Sequence, residues 1–409
     1  MSLGIKKLTP EILANIALAI FAFILVVRFN RQYTTYAWIV AGLFVVYDIF
    51  HSWKNGLAIL SEIHLKNLAV WGILAMYILF NLASLARLDS EDIHLTIAMT
   101  KFTLPLWLLL YINGKYDVQK GLIYGISLGA LALTLVGAYQ FIHHPVIGFR
   151  IISIFQTGNQ FATMIALLLP FTVYGVYFFQ NKLEKSFEII VTLLLIGNLV
   201  LTRSRGGILG IAVAIVFSII ICALLLARSI GWKKIMTAIL AAFIIAGSGA
   251  YVIGTINHER FKDPMNFNNG EERVLLWKAS LRMWEDNKLL GIGISHFNDT
   301  YYSAKYHPKE GREKNLGVPH STPLQFLACT GIVGLIGYLL HLLTTFVFTC
   351  QEVVNKRYRA LAAAFLISFG AFTAQGLVDM TITSKTPAQL YFLLLGFFLS
   401  MILKNRKQG

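Results

Sequence analysis

Charge is what this chain has least of. Asp, Glu, Lys and Arg together make up 13% of its 409 residues, roughly half the share of about 25% usual in soluble domains, which excludes an ordinary water-soluble globule. Cysteine is nearly absent as well: Cys222, Cys329 and Cys350 all sit in apolar stretches. None falls in the one long polar segment, so a disulfide framework and a thiolate metal site are both excluded. His, Asp and Glu nowhere fall at metal-ligand spacing. His143-His144, followed by Pro145, is a weak metal signal. Gly291-Ile-Gly293 lacks the third glycine and the strand context of a dinucleotide site. The sequence therefore gives no cofactor and no metal. Heptads, low-complexity tracts and array-type repeats are missing too.

What is there is hydrophobic, at 56%. Runs approaching the roughly 20 apolar residues of a transmembrane helix recur near 11–28, 35–50, 67–86, 96–112, 121–142, 161–179, 187–202, 206–227, 235–256, 321–350, 359–379 and 386–403. The fold class is all-α: a polytopic membrane protein of about twelve transmembrane helices. Lys6 and Lys7 followed by an apolar run resemble a leader peptide. No small-residue cleavage site follows and a second span comes straight after, so the segment reads as the first retained helix. The chain is one transmembrane domain, 1–409, interrupted by a single large polar loop at 257–320.

Lys and Arg alternate from side to side. With the N-terminus inside, the inner segments hold Lys6 and Lys7; Lys54 and Lys66; Lys115 and Lys120; Lys182 and Lys185; Arg228, Lys233 and Lys234; Lys356, Arg357 and Arg359; and Lys404, Arg406 and Lys407. The outer loops are poorer, and one carries Asp89, Glu91 and Asp92. This positive-inside pattern puts both termini in the cytoplasm and the 257–320 loop outside. The net charge of +15 is then explained by topology and lipid headgroups, without nucleic acid.

Five polar residues converge on the outer face in this topology: Lys101, Arg205, Arg273, His320 and Asp379. Ionisable residues at membrane depth usually face the protein interior or a wet cavity, although Lys101 alone also suits snorkelling to the interface. Arg203 and Arg205 share the tight turn Thr202-Arg-Ser-Arg-Gly-Gly207 before a span. A guanidinium beside glycines and a helix N-terminus suits an anion such as phosphate. The same residue also reads as an ordinary interfacial arginine. Arg273 opens an amphipathic stretch with Trp277 and Trp284, which fits a membrane-boundary helix whether or not Arg273 acts chemically. His320, in Pro319-His-Ser-Thr-Pro323, is the candidate general base, since imidazole titrates near neutral pH. It equally suits a polar position before a helix. Asp379 fixes the His320 tautomer if the two meet, Ser321 or Thr322 supplies the helix cap, and Tyr301, Tyr302 and Tyr306 suit either sugar stacking or loop packing.

These motifs, in this order, resemble the O-antigen ligases and related O-antigen polymerases of bacteria. Thr-Arg-Ser-Arg205-Gly-Gly-Ile-Leu209 is similar to their Arg-x₃-Leu element. The run from His320 to Gly331-Ile-Val-Gly334 is similar to their His-Ser/Asn element and Gly-x-x-Gly. Glu272-Arg273 with Trp277 resembles the second arginine, Leu290-Gly-Ile-Gly293 the segment after it, and Asp379 a late aspartate. The resemblance implies a C-type membrane glycosyltransferase of the bacterial inner membrane with its active site facing the periplasm. Its donor would be an undecaprenyl-diphosphate-linked glycan, and its acceptor a sugar hydroxyl of the lipid A–core. His320 and Asp379 would be catalytic, with Arg205, Arg273, Arg203 and Lys101 holding the lipid diphosphate, in a metal-independent, inverting reaction. A polymerase, using a second lipid-linked glycan as acceptor, is the alternative. A polyprenyl-lipid transporter would need charged residues along the whole depth of the bundle, and only Asp48 and Lys101 stand out.

Overall fold

The computed structural model describes residues 9–27, 31–51, 67–85, 89–113, 115–144, 149–227, 231–256, 268–308 and 317–406. Every regular element among them is helical: α1 (Pro10–Val27), α2 (Arg31–His51), α3 (Leu68–Leu85), α4 (Ser90–Thr100), α5 (Leu104–Asn113), α6 (Gln119–His143), α7 (Gly158–Phe178), α8 (Lys182–Leu201), α9 (Arg205–Leu225), α10 (Trp232–Ile256), α11 (Asn268–Asp286), α12 (Phe297–Tyr301), α13 (Thr322–Val354), α14 (Arg359–Gly376) and α15 (Lys385–Arg406). A 3₁₀ turn, Lys101–Thr103, separates α4 from α5. The apolar run at 96–112 is thus broken. Pro105 has no N–H and its ring crowds the carbonyl four residues back, at Lys101, so an α-helix does not pass through.

Among the described residues, seven helices are long and apolar enough to cross a bilayer: Pro10–Val27, Ser90–Asn113, Gln119–His143, Gly158–Phe178, Arg205–Leu225, Thr322–Val354 and Lys385–Ile402. Thr35–Phe50 and Leu68–Ser84 are apolar but shorter. The structure thus supports a polytopic helical protein, in which seven of the expected twelve spans qualify by length and composition among the described residues. Helix α8 shows one reason, since Lys182, Glu184, Lys185 and Glu188 crowd its first two turns. Of the 257–320 loop, the described part folds into α11 and α12. Residues 257–267 and 309–316 lie outside the described residues, as do Lys6, Lys7, Lys54, Lys66, Arg228 and Lys407.

The chain's back-and-forth path sorts its polar residues to two ends. At one end, Lys115 pairs with the buried Asp48 at 2.6 Å, Lys120 pairs with Glu184 at 3.0 Å, and Arg357 shares a small hollow with Asp117 and Gln119. Helices α6, α7, α8, α13 and α14 carry the chain to the other end, where Arg150, the 202–207 turn, His320 and Asp379 collect. Small residues let the helices approach closely. Gly121 and Gly125 abut the Asn15 and Ala19 backbone of α1, and Gly337 abuts Met76 of α3, which is the packing that membranes favour.

Helix α13 is broken at Gly331, which takes φ 63°, ψ −163°. The break separates N–H groups from carbonyls that an intact helix would join, and the 288–293 segment completes both sets. Ile332 and Val333 donate to the carbonyls of Lys288 and Leu289 at 2.9 and 3.4 Å. The carbonyls of Ala328 and Cys329 accept from Ile292 and Gly293 at 2.9 and 3.0 Å. Backbone groups left without partners at membrane depth cost several kcal/mol each, so this exchange locks the loop onto α13. Gly291 and Gly331 are required because a side chain at either would strike the opposing backbone.

Candidate active site at one end of the bundle

His320 occupies the last position but one before α13, in the left-handed region at φ 48°. A non-glycine residue held there costs on the order of 1–3 kcal/mol and persists where its surroundings over-determine it. Those surroundings are specific. Trp277 of α11 donates its indole N–H to the carbonyl of Pro319 at 3.0 Å. Ser321 stands at the helix N-cap without a capping side-chain bond, contrary to the expected cap. Thr322 instead turns its hydroxyl to the Asp379 carbonyl at 3.1 Å and accepts the Thr381 N–H at 3.1 Å. The start of α13 is thereby sewn to the segment after α14.

That stitching brings His320 Nδ1 to 3.3 Å from Asp379 Oδ1. The pair is mostly shielded, with side-chain exposures of 28% and 18%. Burial by itself raises the Asp379 pKa. The hydrogen bond with His320, the Met380 N–H and the electrostatic pull of His320 and Arg273 outweigh it and hold the group below the ordinary carboxylate value. Arg273 of α11 thus acts on Asp379, and its place follows from the helix: Trp277, one turn further on, is the residue anchored at Pro319.

The Arg205 turn packs near the segment that carries Asp379, with Gly206 beside Val378. Arg203 adopts φ 50°, Ser204 caps α9 by accepting the Gly207 N–H at 3.2 Å, and Arg205 is exposed at the first position of α9. Arg150 braces the turn by donating to the Thr202 carbonyl and to Asn159 Oδ1, both at 2.9 Å. Gly207 is filled against Ala162 of α7, so close helix packing is what it serves, whereas a Cβ on half-buried Gly206 would make only ordinary contact with Val378, at 3.4 Å.

Beside the His320–Asp379 pair opens a cavity of about 450 Å³, whose polar wall includes Thr157, Gln160, Gln325, Thr383 and Ser384. Gln325 is 6% exposed, and its Oε1 has no hydrogen-bond partner among the described residues, nor has the Thr383 hydroxyl. Arg150, Gln160, Gln325 and Thr383 were not singled out from sequence. The one signal for Gln325 was its place inside the run from His320 to Gly334; the others carry none.

Lys101, like Arg203, Arg205 and Arg273, lies outside the cavity wall. It is exposed on the 3₁₀ turn, although Leu95 and Met99 of α4 line the cavity. Tyr301 and Tyr306 are buried, at 0% and 8% exposure, and Tyr302 packs edge-on against Tyr301. Tyr306 donates to Asp286 at 2.7 Å. Loop packing is the role of the buried Tyr301 and Tyr306, which leave no ring face for a sugar. The structure also assembles a trio that no spacing revealed, with ligand atoms of Asp89, Asp92 and His296 within 4.8 Å of one another. Asp89 caps α4 through the Glu91 and Asp92 N–H groups, and Asp92 Oδ1 accepts from both Ser295 N–H and Oγ. The trio therefore ties the 295–296 loop to α4.

Residues 190–339 match the family model described as O-Antigen ligase. The matched stretch holds Arg203, Arg205, Arg273 and His320 and stops short of Asp379. It supports membership of the O-antigen ligase superfamily. No curated protein gives a significant match to the chain.

Proposed function

We propose that this protein is an O-antigen ligase-type glycosyltransferase of the bacterial inner membrane. It moves a glycan from undecaprenyl diphosphate to a sugar hydroxyl of the lipid A–core, with both termini cytoplasmic and the site open to the periplasm. The observation that carries this reading is the His320–Asp379 pair, at 3.3 Å, beside a polar cavity and within the electrostatic reach of Arg273.

The acid–base roles follow from the geometry. A carboxylate beside Nδ1 favours the tautomer with its proton there, which leaves Nε2 to act as base. His320 takes the acceptor hydroxyl's proton as that oxygen attacks the anomeric carbon. The bond from that carbon to the diphosphate oxygen breaks, and the lipid diphosphate leaves with the electron pair. Attack from the face opposite the leaving group inverts the centre. Arg205 and Arg273, with Arg203 beside them, stabilise the growing negative charge through charge-assisted contacts. Asp379, held ionised below the ordinary carboxylate range, steadies the imidazolium. The energy for transfer is already in the donor's glycosyl–phosphate bond.

The test is reconstitution in proteoliposomes with an undecaprenyl-diphosphate glycan, offering either lipid A–core or a second lipid-linked glycan as acceptor, with and without EDTA. Transfer to lipid A–core that survives EDTA is the expected result. Elongation of the second lipid-linked glycan alone would make the protein a polymerase, and a strict divalent-metal requirement would overturn the arginine account.

A further inference from the structure

The cavity beside His320 has a composition that suits only part of the substrate. Among the described residues it is lined by no lysine or arginine; its charged groups are His320 and Asp379, and its remaining polar groups are amides and hydroxyls. A diphosphate, with its several negative charges, is not stabilised there. A pyranose ring is, because hydroxyls both donate and accept and the apolar faces of the ring suit walls such as Met99 and Phe297.

Two wall groups point to a ligand more sharply than composition does. Gln325 is 94% buried by the complement of its 6% exposure, and its Oε1 accepts nothing from the described residues. The buried Thr383 hydroxyl is likewise without a partner among them. Leaving a buried polar atom unsatisfied costs its lost solvation, and a bound donor would recover it. Gln325 lies on the first turn of α13, just after His320, and both residues line this cavity.

We propose that this cavity is the acceptor-sugar subsite, in which Gln325 Oε1 and the Thr383 hydroxyl hold the pyranose that carries the attacking hydroxyl. Gln325 is a positioning residue for that sugar, and the lipid diphosphate lies outside the cavity on the arginine side. The assignment rests on the glycosyl-transfer reading above and names which substrate the cavity takes.

The test uses the full-length protein in nanodiscs and the shape-conserving variants Gln325→Met and Thr383→Val. Each is assayed with rough lipopolysaccharide (lipid A–core) varied at fixed donor, and with donor varied at fixed lipopolysaccharide. Binding of rough lipopolysaccharide to His320→Ala, with and without Gln325→Met, is measured separately by thermophoresis. Gln325→Met should raise the KM for lipopolysaccharide about tenfold, and Thr383→Val about threefold, with the donor KM unchanged; binding should weaken in step. An acceptor KM within twofold of wild type in both variants, or a change confined to the donor KM, overturns the subsite. If the wild type transfers nothing but Gln325→Met still weakens lipopolysaccharide binding, the sugar site stands and the transfer reading falls.

Discussion

Trp277 holds the carbonyl of Pro319 with its indole N–H at 3.0 Å, and so an amphipathic helix of the polar loop fixes the backbone that presents His320. The left-handed φ of 48° at His320 is sustained by this bond on one side and by the Thr322–Asp379 stitch on the other. Trp277→Phe keeps the ring and removes the donor. It should lower kcat about three- to tenfold, in line with the loss of one buried hydrogen bond, while acceptor KM changes little. Steady-state transfer in nanodiscs checks the split.

Removal of the base is the sharpest test of the chemistry. His320→Ala should cost about 10²–10⁴ in rate with the protein still inserted at wild-type level. Asp379→Asn keeps the shape but offers no carboxylate to the imidazole, and should cost less than His320→Ala. Undiminished transfer by His320→Ala would remove it as the base.

Arg205→Lys separates charge from geometry. Lysine supplies a point charge without the planar fork that grips two phosphate oxygens at once. The lysine variant should therefore be nearly as slow as Arg205→Ala. Recovery of most activity with lysine would show that positive charge alone suffices at this position.

The depressed Asp379 pKa makes a prediction about stability. A carboxyl whose folded pKa lies below its unfolded value, about 3.9, adds stability that is complete above that value. This stability is lost as pH falls through the lower folded pKa. Wild type should lose melting temperature relative to Asp379→Asn as pH drops below about 4, and the gap between them should be wider at about pH 5 than at about pH 3. Differential scanning fluorimetry in detergent at graded pH reads both; parallel curves down to acid would remove the coupling.

Gly331→Ala should destabilise the fold by about 1–3 kcal/mol from backbone strain alone. A methyl there also meets the Leu289 backbone, which disrupts the exchanged hydrogen bonds with 288–293. A melting temperature unchanged from wild type would mean that the break in α13 is not what holds the loop.

Much of this protein was legible in its sequence because helices within a membrane are specified locally. Apolar runs mark the membrane helices, but reading 96–112 as one span missed the break at Lys101–Thr103 beside Pro105. His320, Asp379, Arg205 and Arg273 could be nominated because polar groups that recur at one end of apolar runs are expensive to keep there. Gly207 shows the limit of such signals: a glycine marks close approach, and sequence does not say whether the approaching group is a ligand or, as here, Ala162.

The chain alone thus fixed the all-helical, many-span architecture and the short set of residues worth watching. Only the tertiary structure decided which of them meet. His320 and Asp379 are 59 residues apart and become neighbours because Thr322 binds the Asp379 backbone. Lys101, nominated on the same grounds, is left on an exposed turn. Gln325, marked only by its place inside the run from His320 to Gly334, is buried with its oxygen unmatched among the described residues. Hydrophobic periodicity is set by each residue's near neighbours, whereas the meeting of side chains depends on where separate helices cross and which backbone groups they must satisfy together.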